Sequence, residues 1–319
     1  TTGVANPYLL LEPSRTNLIE QSEYFGGWNT ISSVSIDYND IVSPEGKNNA
    51  HKITALGAGT QRIYDVVTAS SGSITMSLYI KIGTHSQIRF LMSGPIDVTF
   101  DLSDESVTES VGKGYIESAG NDWYRLVATG TTTGGGLVPQ LRLDSAATGE
   151  YQYWYGAQIE AGSYATSYIP TYSTSATRAG DNCSKTNASG EIGQTEGTIY
   201  WNFKSDNTSL YKRFALSDGT TNNWIFVGME QTGGLVRGYI RNNGSIQFTY
   251  TGSVNLANTR VKIALAYKEN DFALYVNGSL IGVDNSGTIP LCDRIDIGSQ
   301  NATWNISAST ETYQAEVYK

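Results

Sequence analysis

Ile74-Thr-Met-Ser-Leu-Tyr-Ile-Lys-Ile82, followed by Gln87-Ile-Arg-Phe-Leu91, alternates apolar and polar residues with a period of two. That period belongs to strands with one buried face. Gln140-Leu-Arg-Leu-Asp144 repeats it, and Ser71-Gly72, Gly83, Ser93-Gly94-Pro95, Gly112, Gly114 and Gly134-Gly135-Gly136 punctuate the runs. Turn signals at intervals of about 8–12 residues are typical of sandwiches and barrels. Helical periodicity is sustained nowhere. The second half restarts the pattern with Gly197-Thr-Ile-Tyr-Trp-Asn-Phe203, Trp224-Ile-Phe-Val227 and Phe272-Ala-Leu-Tyr-Val276. There Asn277-Gly278 feeds Ser279-Leu-Ile-Gly-Val283 as a hairpin.

A chain of 319 residues is too long for one ordinary core and comfortable as two. The expected fold is therefore all-β, with two tandem β-sandwich (jelly-roll) domains. The first takes residues 1–170 and the second 182–319. Residues 171–181 fall in a stretch rich in small polar residues and are read as the connection.

A net charge of −9 with no basic run argues against a nucleic-acid groove, where Lys and Arg neutralise phosphates. Apolar stretches such as Tyr8 to Leu11 fall far short of the ~20 residues that span a bilayer, so no membrane insertion is expected. The N-terminus lacks an initiator Met, which suggests a fragment or a processed form. Two cysteines, Cys183 and Cys292, are too few for a disulfide scaffold and are read as free thiols, with a single bridge between them left open.

Hydrolytic chemistry finds little material. A glycosidase needs two carboxyls flanking the scissile bond, and Asp293-Arg-Ile-Asp296 sets its carboxylates on opposite faces of a regular strand. His51 and His85 are too few for a triad or a histidine-rich metal site and are expected at the surface. No cofactor is required on this reading. Asp218 opens a polar loop, Asp218-Gly-Thr-Thr-Asn-Asn223, that could offer oxygens to a structural Ca²⁺, although a solvated loop is the simpler expectation.

Sugar binding asks for flat aromatic faces and planar polar side chains. Six Trp and 21 Tyr supply the first in excess. Arg89, Arg142, Gln152, Trp154 and Gln158 each occupy the polar alternate of a strand. If those strands share a sheet, the five form one surface suited to a neutral or acidic glycan. Alternatively that face packs against the second domain or a neighbouring subunit. Trp28 and Trp123 are expected to pack, whereas Trp201, Trp224 and Trp304 are the second domain's options, with Trp224 the leading candidate.

Two resemblances add to this. Leu9-Leu-Leu-Glu-Pro-Ser-Arg-Thr-Asn-Leu-Ile19, Ser77-Leu-Tyr-Ile-Lys81, Asn121-Asp-Trp-Tyr-Arg125 and Gly156-Ala-Gln-Ile-Glu-Ala-Gly162 resemble, in order, the opening domain of phage tail and virion surface proteins. That domain is similar to family 4 and 9 carbohydrate-binding modules. Glu196-Gly-Thr-Ile199, Phe272-Ala-Leu-Tyr-Val-Asn-Gly278 and Arg294-Ile-Asp-Ile-Gly298 look like a concanavalin A-like, laminin G-like lectin sandwich. Its final strand resembles Glu316–Lys319, without the segment that usually follows. The resemblances imply a non-catalytic glycan-binding module on a virion surface or otherwise extracellular. Its partner would be a polysaccharide or cell-surface glycan, and it could form a homo-oligomer within a larger virion protein. Two other readings stay open: a structural virion decoration or assembly protein, and a polysaccharide-degrading enzyme with an unfamiliar site.

Overall fold

The structure, a computed structural model, describes residues 8–57, 60–204, 211–230, 235–252, 259–298 and 310–319. Among them there is no α-helix. One 3₁₀ turn, Phe25–Gly27, interrupts an otherwise all-β chain of antiparallel pairings. The expected fold class is the one observed.

Two compact units divide the chain. The first, Arg15–Arg178, is a sandwich of two six-stranded sheets. One sheet runs Ser106–Val111, Ile96–Asp101, Gln87–Met92, Pro139–Arg142, Arg62–Tyr64, Thr30–Ser32 in spatial order. The other runs Lys113–Gly120, Trp123–Thr132, Gly72–Ile82, Tyr151–Ala161, Ala50–Ala55, Val34–Ile41. Their facing alternates, among them Ile63, Leu78, Ile80, Phe90, Phe100, Leu126 and Leu141, make one continuous core. The alternation in Ile74–Ile82 and Gln87–Leu91 is the direct cause, because each strand offers every second side chain to the space between the sheets.

The second unit joins Ala179–Lys319 to the chain's first residues, through Ser14. One of its sheets runs Leu9–Leu11, Thr310–Tyr318, Glu196–Lys204, Val261–Lys268, Asp271–Val276, Ser279–Asp284. The other runs Cys183–Lys185, Arg294–Ile297, Lys212–Ser217, Trp224–Met229, Val236–Asn242, Ser245–Thr251. Trp201 lies buried at its centre, stacked on Phe203 with ring centroids 3.8 Å apart. Asn277 and Gly278 both take positive φ in the expected hairpin turn.

These units differ from the expected domains at both boundaries. Leu9–Leu11 pairs with Thr310–Tyr318 and so belongs to the second unit, not the first. The stretch read as a connection is tied back onto the first unit as far as Arg178, and Asp181 bonds to Glu12 in the second. Tyr172 bridges to Gln21, and Ala176–Arg178 pairs with Arg15–Asn17. Polar composition suggested a linker, but its polar groups are spent on backbone pairing and on bonds such as Ser22 N to Thr171 Oγ1 at 3.0 Å.

Strand Tyr151–Ala161 holds the local feature with the widest effect. Its pairing with Gly72–Ile82 slips between Tyr155 and Gln158, and Gly156 sits there at φ +63. This is a β-bulge, which turns later side chains to the opposite face. Trp154 therefore points into the core before the bulge, and Ala157 and Ile159 do so after it. A Cβ at Gly156 would lie 3.2 Å from the Tyr168 ring, at a φ that L-residues avoid. Gly156→Ala is expected to cost about 1–3 kcal/mol, from the positive φ and the ring contact together. Urea denaturation of the two proteins measures it, and equal stability would refute the constraint.

Candidate functional site

The first unit's sheet containing Gln87–Met92 has one face in the core and one outside. Ile88, Phe90 and Met92 point inward, as do Val98, Phe100, Leu141 and Ile63. Strand alternation then turns Gln87, Arg89, Asp97, Asp101, Arg142, Arg62 and Tyr64 outward. Register sets three of them in a row: Arg142 lies opposite Arg89 on one neighbouring strand and opposite Arg62 on the other. Three guanidinium groups thus cross three adjacent strands.

Like charges directly opposite each other are unfavourable, and two carboxylates offset this. Arg89 grips Asp97 with two parallel bonds, Nε to Oδ1 and Nη2 to Oδ2, each 2.7 Å. Its Nη1 donates to Asp144 Oδ2 at 3.2 Å, and Arg142 Nε donates to Asp144 Oδ1 at 3.0 Å. The forked bond from Arg89 holds the Asp97 carboxyl below its ordinary range, and the same bond raises Arg89. Ser103, and then Gln87, keep Asp101 ionised in the same way. All four members of the Arg89 network are half-buried, with side chains 19–32% exposed. Their rotamers are fixed while their outer edges reach solvent.

Arg89 and Arg142 are thus brought together, and the other three expected members are not. Gln152, Trp154 and Gln158 lie on the opposite sheet and are fully buried. Trp154 Nε1 donates to Gln152 Oε1 at 3.0 Å, and Gln152 Nε2 donates to the carbonyls of Gln87 and His85. Beyond the bulge, Gln158 accepts from Ile169 N at 2.7 Å and donates to Glu160 Oε1 at 2.7 Å. Polarity suggested an outward phase, but a buried amide with every group bonded is an ordinary interior residue. Arg62, Asp97 and Asp144 are the members of the face that sequence reasoning missed. Alternation in Arg62-Ile-Tyr64 and the Arg142-Leu-Asp144 spacing were the available signals.

In the second unit, Trp224 is no open platform. It is 6% exposed, packed with Phe226 and Tyr239, and the Arg213 guanidinium lies 5.3 Å from its ring. Burial pulls Arg213 down to about 10. Asp218 is occupied by its own loop: Oδ1 accepts from Thr220 N and Oγ1, and Oδ2 from Asn223 Nδ2. Among the described residues no group of three or more His, Cys, Asp and Glu is placed to hold a metal ion. Asp296, one of the two spaced carboxylates, is buried and clamped by Arg294 Nε and Nη2. Cys183 and Cys292 are free thiols, and burial pushes Cys292 up to about 12. Trp304 lies outside the described residues.

Both histidines are buried, contrary to the expectation from composition. His51 fits between Phe25 and Tyr38, whose rings it meets edge-on. Asn39 N donates to its Nδ1, which leaves Nε2–H to donate to the Glu23 carbonyl. The ring is therefore neutral, and burial lowers its pKa below 6.5. Tyr155, in the opposite phase of its strand to Trp154, donates to Glu23 Oε1, and Tyr168 and Tyr172 donate to the same oxygen. Desolvation raises all three phenols.

No protein-family model matches the chain, and no curated protein matches it. Several solved structures are similar in part. A CBM40 module of a Ruminococcus gnavus sialidase shares 16% identity over 40% of this chain and 77% of its own, with a TM-score of 0.34. The Bacillus subtilis carbohydrate-binding module CBM66 shares 12% over 43% and 78%, with a TM-score of 0.29. Domains LG4-5 of the mouse laminin α1 chain share 10% over 99% and 90%, with a TM-score of 0.29. At these identities and scores none of them bears on which residues bind or on what is bound.

His51 makes stability depend on pH. Its native pKa is depressed, so below pH 6.5 the unfolded chain takes up a proton that the native ring resists. Its contribution is complete above pH 6.5 and is lost as pH falls, levelling off below the native pKa. Denaturation midpoints between pH 7.5 and 5 are expected to fall more steeply for the natural chain than for His51→Gln. Parallel curves would remove His51 as the cause.

Proposed function

We propose that the chain is a non-catalytic glycan-binding module that works at a virion surface, as part of a phage tail or similar extracellular protein. One observation supports the glycan reading above others: the outward face on which Arg62, Arg142 and Arg89 lie in a row, with Asp97 and Asp144 bonded at the Arg89–Arg142 end. A sugar presents hydroxyls in neighbouring pairs, and each hydroxyl both donates and accepts. Arg142 beside Asp144 offers a planar donor next to a planar acceptor, the complement of such a pair. Because the side chains are already held, little ordering entropy is lost on binding.

The same electrostatics favour holding over cutting. Glycoside hydrolysis needs one carboxyl kept protonated near neutral pH. Here Asp97 is held ionised by Arg89, the opposite of what a general acid requires. The virion setting rests on the ordered phrases from Leu9 to Gly162.

A glycan array probed with the intact chain tests the reading. Saturable binding is expected, and Arg142→Ala is expected to weaken it about tenfold, the loss of one or two charge-assisted bonds. No binding across a broad panel at millimolar sugar would overturn the proposal. Release of reducing ends would turn it into a hydrolase.

A further inference from the structure

We infer that the Arg62–Arg142 end of this face is a carboxylate clamp, so that the glycan it takes is an acidic one, with a uronic or sialic acid bound through its carboxylate. The inference deepens the glycan-binding reading and rests on it. Three guanidinium groups in the row share two carboxylates, Asp97 and Asp144. Arg89 uses Nε and both Nη groups on them. Arg142 spends only Nε, and its two Nη groups make no hydrogen bond among the described residues.

Arg62, opposite Arg142 on the next strand, has no carboxylate within ion-pair distance among the described residues. It is aimed instead of neutralised. Its Nη1 donates to Gln140 Oε1 at 3.1 Å, and its guanidinium lies 5.0 Å from the centroid of the Tyr64 ring. Its Nε is buried with no hydrogen-bond partner there. Two neighbouring guanidinium groups with unspent donors, facing the same side of a sheet, make a repulsive pair that an anion would relieve. A carboxylate fits because its planar oxygens match the guanidinium fork two bonds at a time. The chain's net charge of −9 makes a row of three guanidinium groups against two carboxylates hard to attribute to general composition.

The probe is oligogalacturonate beside its fully methyl-esterified twin, titrated calorimetrically into the full chain, with sialyllactose and lactose as a second pair. The acid form is expected to bind at least about tenfold more tightly than its neutral twin, with the margin shrinking as salt rises. Whichever acid pair binds identifies uronate or sialate as the source of the carboxylate. Arg62→Gln is expected to erase the margin. Arg62→Lys, which keeps the charge and loses the fork, should recover only part of it. A variant that does not fold leaves the test standing, since the paired ligands are read on the natural chain. Equal binding of acid and neutral twins would overturn the clamp and leave the glycan reading intact. No binding by any of the four would overturn the clamp, while the glycan reading stands or falls by the broad panel.

Discussion

Strand Tyr151–Ala161 can serve the first unit's core along its whole length only because Gly156 takes a positive φ. Without that bulge, the side chains after Tyr155 would keep the phase of Trp154, and Gln158 would meet the apolar layer in place of Ala157 and Ile159. With it, Gln158 and Glu160 point away from the main core, where Thr166 and Ile169 satisfy them. Asn17 then reaches the strand from outside, donating to Ala157 O and accepting from Ile159 N. The segment from Tyr168 to Arg178 is fastened at the same place. A single residue's backbone freedom thus decides which of the strand's amides are interior and how the unit closes.

The two sandwiches were legible because alternation is a repeated signal, and an error in one strand leaves the others standing. Face assignment was less secure. Arg89 and Arg142 follow unbroken alternation and come out where period two puts them. Gln152 and Trp154 do not face out, because polarity does not mark exposure in a strand whose amides find carbonyl partners from other segments. Those partners, Gln87 O and His85 O, are more than sixty residues away, and nothing near Gln152 announces them. His51 was hidden for the same reason, since its partner carbonyl belongs to Glu23.

The outward row of arginines is costly as architecture. Adjacent strands gain most from cross-strand pairs that attract, and here Arg62, Arg142 and Arg89 repel. Asp97 and Asp144 answer that repulsion at one end of the row. Pre-formed Arg–Asp pairs also keep the face rigid, so a ligand docking there would not have to order long side chains first. A surface of this kind discriminates by charge pattern more than by area.

Leu9–Leu11 has its partner at Thr310–Tyr318, with the whole first unit between them in sequence. During synthesis the opening strand therefore leaves the ribosome long before the residues that pair with it. Arg15–Arg178 holds all its own pairings and can complete its core while Leu9 and Leu10 still wait, apolar and unpaired. Closing so distant a contact is the slow step of such a topology. Thr310–Tyr318 is then the strand that locks Leu9–Leu11, and a chain released before Thr310 would carry an intact first unit and an unfinished second one.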